Sequence, residues 1–181
     1  MAALVTAAAA EFADVGYEAA TMSAIARRAG APIGSLYQFF SNKEALARAL
    51  RTEYAREYEQ LSAPLDARAA AMTLPQLVEA LVKLMFGLAR RHPAFLTLLD
   101  APSATRIPAS RERHRQWVAR LLLAHTPQLS QQRADQIATV VTQINRGMLG
   151  LYAEGPPAER EWVIEEAAAV LVAYLTRCLA D

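Results

Sequence analysis

Residues 21–46 read TMSAIARRAGAPIGSLYQFFSNKEAL, and this run decides the fold. Thr21 and Ser23 are N-cap residues for a short helix that ends near Ala29. Gly30 is its stop. Pro32 suits the first turn of the next helix, about Pro32 to Phe40. Ser41-Asn42-Lys43-Glu44 has the spacing of a capping box and opens a fourth helix, about Asn42 to Leu61. Two short helices joined by Gly30-Ala31-Pro32 have the layout of a helix-turn-helix, whose second member enters the DNA major groove. On that member Ser35 and Gln38 can hydrogen-bond to bases, and Tyr37 can reach a phosphate. Lys43 opposes the macrodipole at the start of its helix, at a cost of a few tenths of a kcal/mol. A phosphate nearby would give it a reason to be there.

Upstream, Leu4, Val5, Ala8, Phe12 and Val15 share one face of a helix over residues 2–15, and Gly16 stops it. Phe12, Ile25, Leu36 and Leu46 are the expected core of this three-helix headpiece. Downstream, Pro75 starts a fifth helix that reaches Arg91. Its polar stripe, Gln76, Glu79, Lys83, Gly87 and Arg90, is so narrow that the helix must be buried on most sides. His92-Pro93 breaks it, a short helix follows over 94–99, and Pro102 and Pro108 mark a loop or a late helix start. A seventh helix covers about 110–125, and Ser130 caps an eighth over about 131–152. Gly155-Pro156-Pro157 is a tight turn before a ninth over about 158–179. There is no period-2 strand pattern and no internal repeat. The expected fold is all-α: an N-terminal helix-turn-helix DNA-binding headpiece, residues 1–50, and a helical body, residues 51–181.

The composition agrees. Of 181 residues, 39 are alanine, 23 leucine and only 7 glycine, which favours helix over sandwich or barrel. A 54% hydrophobic fraction excludes intrinsic disorder, and a net charge of +1 excludes a polybasic nucleic-acid coat. The single cysteine, Cys178, cannot form an internal disulfide, which fits a reducing cytoplasm. The apolar run from Ala2 to Ala10 has no positive flank and meets Glu11 and Asp14, so a signal peptide is not expected. The longest apolar stretch, Leu77 to Ala89, is interrupted by Glu79 and Lys83, so no membrane partner is expected. His114 and His125 sit eleven residues apart on one helix, about 16 Å, too far to share a metal. No metal and no cofactor are expected. Nucleophile elbow, phosphate loop and His-Glu-x-x-His run are all missing, which points away from an enzyme.

The run from Thr21 to Leu46, with Phe12 and Gly16-Tyr17 upstream, resembles the signature of the tetracycline-repressor (TetR) family over about residues 4–50. The resemblance implies a homodimer in which each subunit joins a DNA-binding headpiece to a ligand-binding and dimerisation body. It implies a double-stranded DNA operator, a palindromic one, and repression relieved by a small-molecule effector. An activator, or a ligand-binding protein with a degenerate headpiece, are the alternatives. Carried over to this chain, Thr21 and Ser23 would meet phosphates, Ser35 and Gln38 would face bases, and Tyr37, Phe39 and Lys43 would touch the backbone. Two departures stand out. Ile33 replaces a polar residue and would make an apolar contact, such as one to a thymine methyl. Residues 1–6 hold no lysine or arginine, so either a basic arm precedes them or minor-groove arm contacts are missing. Residues 1–51 carry five cations against four anions. One headpiece should therefore bind DNA weakly, and dimerisation must supply affinity.

The dimer face is expected on the eighth and ninth helices, with Val141, Trp162, Val170 and Tyr174 in contact with the partner subunit. An apolar effector cavity is expected among helices four to eight, lined by Met85, Phe86, Phe95, Leu99, Trp117, Leu121, Asn145 and Met148. Arg106, Arg111, Arg113, Arg115 and Arg120 form the most basic part of the body. They read as a solvated face, or as a site for an anionic group on the effector.

Overall fold

The computed structural model describes residues 1–101 and 108–179. Among these the chain forms nine α-helices and no strand: α1 (Ala2–Ala19), α2 (Met22–Arg28), α3 (Ile33–Phe39), α4 (Lys43–Arg68), α5 (Leu74–Arg91), α6 (Pro93–Asp100), α7 (Pro108–His125), α8 (Gln131–Glu154) and α9 (Arg160–Leu179). The loop expected at Pro102 and the cation Arg106 lie outside the described residues.

Local chemistry explains most boundaries. Gly16 has φ 81° and breaks the helical path inside α1, while Gly30 has φ 63° and turns the chain from α2 toward α3. Thr21 Oγ1 accepts the Ala24 amide at 3.1 Å, and Ser130 Oγ accepts the Arg133 amide at 3.2 Å. Two expectations need correction. The side-chain cap of α4 is Asn42, whose Oδ1 accepts the Ala45 amide at 2.9 Å, one residue later than the box built on Ser41. α4 also runs past Leu61 to Arg68 and carries Pro64 inside it. A proline there removes one amide and crowds the carbonyl four residues back, at roughly 3 kcal/mol. Burial beyond it offsets that cost: Leu65 and Ala69 are enclosed, and the Trp117 indole N–H donates to Asp66 at 2.9 Å. A capping box does occur at α5, where the Gln76 amide donates to Thr73 Oγ1 and Thr73 N–H donates to Gln76 Oε1.

The helices form two packing units. One holds Met1–Glu57 with the segment that begins at Leu88. Phe12, Ile25, Leu36 and Leu46, all fully enclosed, are its core. α1 packs on α2, α2 on α3, and α6 lies along α1 with Ala94 and Leu98 in the same core. Arg28 ties α2 to α1 through Glu11 at 3.1 Å and Asp14 at 2.6 Å. The other unit holds Tyr58–Gly87 with α7, α8 and α9. Leu77, Phe86, Leu121, Ile137, Leu171 and Leu175 fill it, with α7 packed on α8 and α8 on α9. On α5 the residues open to solvent after the first turn are Glu79, Lys83, Arg90 and Arg91, so its polar stripe is as narrow as its sequence implied.

Candidate functional site

α3 is anchored on its inner side by Leu36 and the following Phe40. Its outer side shows Ile33, Gly34, Tyr37, Gln38 and Phe39, and Ser35 is half-buried. Ile33, Tyr37 and Phe39 are 43%, 51% and 55% exposed, which separates Tyr37 from a packed core aromatic. Three large apolar side chains around Gln38, on a helix of seven residues, make a surface with little to gain from water. Ser23 lies exposed in the first turn of α2, beside Thr21, whose hydroxyl oxygen accepts the cap bond and keeps its O–H to donate.

Lys43, expected at a phosphate, has partners within its own chain. Its ammonium donates to the Tyr17 carbonyl at 2.6 Å and the Glu18 carbonyl at 2.9 Å, and sits 4.5 Å from the Tyr17 ring centroid. The cation that opposes its own helix is thus compensated by the carbonyl end of α1. One of its three N–H groups remains. Beside it the Tyr17 hydroxyl donates to Glu44 at 2.9 Å, and Arg51 reaches the other Glu44 oxygen at 3.0 Å. Burial, reinforced by the Glu44 carboxylate, pushes the Tyr17 hydroxyl up to about 12. Arg51 also donates to the Leu98 carbonyl of α6 at 3.4 Å. Sequence reading missed this network. Its one local trace was the spacing of Glu44 and Arg51, two turns apart on one helix face.

The residues expected around an effector fall into two groups. Phe95 and Leu99 belong to the first unit, where Phe95 packs on the core edge-on to Tyr54 at 6.2 Å. Met85, Phe86, Trp117, Leu121, Asn145 and Met148 belong to the second. There all but the half-buried Met148 are enclosed. Trp117, Tyr58 and His114 form a three-ring cluster with centroids 5.3–5.8 Å apart. His114 Nε2 and Asn145 Oδ1 are buried without a hydrogen-bond partner, and so is Arg160 Nε. Burial pulls the His114 pKa down to about 4, so its ring is neutral at pH 7. An unpaired buried polar atom costs roughly 1–3 kcal/mol, and each such atom needs a reason. A groove of about 470 Å³ lies elsewhere, lined by Leu65, Arg68, Met72, Gln76, Lys83 and neighbours. None of the expected lining residues borders it. Lys83 and Glu79 pair with each other and are largely exposed, so it is a wet surface groove.

Two of the α7 arginines are already paired. Arg115 binds Glu112 and Asp135, and Arg113 lies 3.9 Å from Glu59. Among the residues expected at a dimer face, Trp162 and Val170 are 54% and 41% exposed, and Tyr174 is half-buried. Val141 is fully enclosed within its own subunit and has no surface to offer a partner. Its neighbour Val140, about 100° round the helix, is the exposed one at 39%, as is Leu151 at 53%.

Among the described residues no helix is long and apolar enough to cross a membrane. The chain is 46% identical over 65 residues to the A-factor receptor protein of Streptomyces griseus, a stretch that makes up 35% of this chain and 24% of that protein. It resembles the crystal structure of a gamma-butyrolactone receptor with TM-score 0.60 and 29% identity, covering 94% of each chain. It resembles a TetR-family transcriptional regulator from Streptomyces coelicolor with TM-score 0.70 and 25% identity over 98% of each. The family model for bacterial regulatory proteins of the tetR family matches residues 4–50, and that for the tetracyclin repressor-like C-terminal domain matches residues 73–175. With both of its parts matched, the chain belongs to the TetR family of regulators.

Proposed function

We propose that this chain is a dimeric transcriptional repressor that leaves a palindromic operator when a small, uncharged, amphipathic effector enters the second unit. The observation that carries the proposal is the outer side of α3, where Ile33, Tyr37 and Phe39 stand exposed around Gln38. A duplex gives each a partner: base edges for Gln38 and Ser35, a thymine methyl for Ile33, and the sugar-phosphate backbone for Tyr37 and Phe39. It also gives Thr21, Ser23 and the third N–H of Lys43 phosphates to meet. The same exposure speaks against a degenerate headpiece.

His114 Nε2 and Asn145 Oδ1 support the effector half. Both are neutral, buried and unpaired, in a body otherwise lined by apolar side chains. A ligand whose hydroxyl donates to Asn145 Oδ1 and whose carbonyl accepts from His114 Nε2, set among methylene groups, would satisfy them, whereas a carboxylate would find the α7 arginines Arg113 and Arg115 already paired. The likeness to a gamma-butyrolactone receptor makes a lactone with an alkyl chain the first class to try. Homodimerisation is supported by α8 and α9. Val140, Gly147 and Leu151 fall within about 40° of one another on α8 and are all exposed, and α9 adds Trp162 and Val170. No cofactor is needed by this reading.

The test has two stages. Duplexes retained from a random pool should share an inverted repeat whose half-sites lie about one helical turn, ~34–36 Å, apart. Gamma-butyrolactones of graded chain length, with fatty acids as the charged comparison, should then be titrated into the complex. Release by lactones and not by fatty acids is expected. A retained pool without a repeat would refute the operator, and release by fatty acids alone would refute the uncharged effector.

A further inference from the structure

Gly34 has no reason within its own chain to be glycine. It is the second residue of α3, and its backbone is not in the left-handed region. A Cβ built on it would meet nothing within 4 Å. Glycine in a helix loses more backbone freedom on folding than alanine would, so the short α3 bears a cost that no internal packing recovers. Gly30, four residues earlier, has its explanation in a φ of 63°. Gly34 has none of that kind, and neither backbone conformation nor packing within the chain accounts for it.

At ~100° per residue, positions 34 and 38 both fall about 160° round the helix from Leu36. Leu36 is fully buried and fixes which side of α3 faces the core. Gly34 and Gln38 therefore form the outermost ridge of the helix, with Ile33 and Tyr37 on its flank, all four exposed. Whatever Gln38 reads must pass directly over Gly34. We infer that Gly34 is a positioning residue for DNA recognition: its missing side chain lets the α3 backbone press against the base-pair edges, and so sets the depth at which Gln38 and Ser35 reach them. The inference rests on the operator-binding proposal above.

The geometry requires stability and recognition to move in opposite directions. Gly34→Ala should raise Tm by about 1–2 °C, because alanine is the better helix former and meets no obstacle. It should weaken binding to the selected operator at least ten-fold, because the added methyl holds the helix off the bases. Binding to a random duplex, which depends on phosphates, should stay within about two-fold. Gly30→Ala supplies the contrast: it strains the turn and should lower Tm and operator affinity together. Operator affinity within two-fold of the parent in Gly34→Ala would overturn the inference, and so would a fall in its Tm, which would place the reason for glycine inside the fold. The parent protein decides the separate question. If it retains no duplex at all, the operator proposal fails; if it binds and Gly34→Ala binds equally well, only the role of Gly34 fails.

Discussion

Lys43 joins an observed clamp to a proposed phosphate contact, and single-site substitutions can separate the two. Its ammonium clamps the Tyr17 and Glu18 carbonyls and keeps one N–H to spare. Lys43→Ala should lower Tm by about 2–4 °C, corresponding to roughly 1 kcal/mol for a charged hydrogen-bonding group, and should flatten the salt dependence of operator binding by about one unit per half-site. A fall in Tm with an unchanged slope would leave Lys43 as a clamp alone. Gln38→Ala should behave differently, relaxing base preference at one position of each half-site by ~1–3 kcal/mol with Tm unmoved. In the body, His114 makes stability depend on pH. Its folded pKa of about 4 lies below the ordinary 6.5, so the unfolded chain binds the proton first. Stability is whole above pH 6.5 and is lost as pH falls toward 4, by up to about 3 kcal/mol. His114→Phe should remove that loss, so urea midpoints of parent and variant should diverge between pH 7 and pH 4.5. Parallel midpoints would mean that the ring is already solvated. These roles were unequally legible. Gly16, Gly30, Thr21 and Ser130 act on backbone within four residues, and sequence spacing reveals them. The partners of Lys43 lie 25 and 26 positions away, and no local pattern carries that distance.

The elements show the same division between local and distant causes. Tight turns and caps fixed where α2, α3, α8 and α9 begin, while α4 outran its expected end because the reward for continuing past Pro64 lies on Trp117 of α7. Propensity weighed the proline and could not weigh the indole. Phe95 and Leu99 of α6 are expected at the effector cavity, and α6 packs along α1 with Leu98 in the headpiece core. Periodicity shows that a face is buried and is silent about which helix covers it. Val141 and Val140 differ in the same way: both lie on an apolar side of α8, and only the position of α9 and α7 decides which is enclosed. Thr73 and Gln76 have the spacing of a capping box and flank Pro75, which by itself already marks a helix start. Thr73→Ala removes one bond of the reciprocal pair, that from the Gln76 backbone N–H, and should cost about 1 kcal/mol, or ~2–4 °C in Tm, with operator affinity unchanged. Loss of DNA binding in that variant would indicate that the start of α5 takes part in holding the headpiece active.

At the scale of the whole molecule, the proposed operator affinity would have to come from pairing. Residues 1–51 carry a net charge of only +1, too little for one headpiece to hold a duplex at physiological salt. Two headpieces on one operator turn the second binding event into an intramolecular one, and the gain is of order 10²–10⁴ without any new contact. The exposed stripes of α8 and α9 are where such pairing should occur. Val140 and Val170 are 39% and 41% exposed in the single subunit, so an aspartate at either costs the isolated fold little. Inside an interface the same aspartate is a buried charge without a partner, and that is strongly destabilising. Val140→Asp and Val170→Asp should therefore yield folded monomers by light scattering, with an unchanged helical spectrum. Their affinity for the palindrome should fall by about 10²–10⁴ to that of a single half-site, and a half-site duplex should bind parent and variants alike. Val141→Asp is the internal control, because a charge at a fully enclosed position should unfold the second unit. Dimers that persist in both exposed variants would move the interface off α8 and α9. Monomers that keep full affinity for the palindrome would refute pairing as the source of affinity and leave the recognition helix to account for all of it.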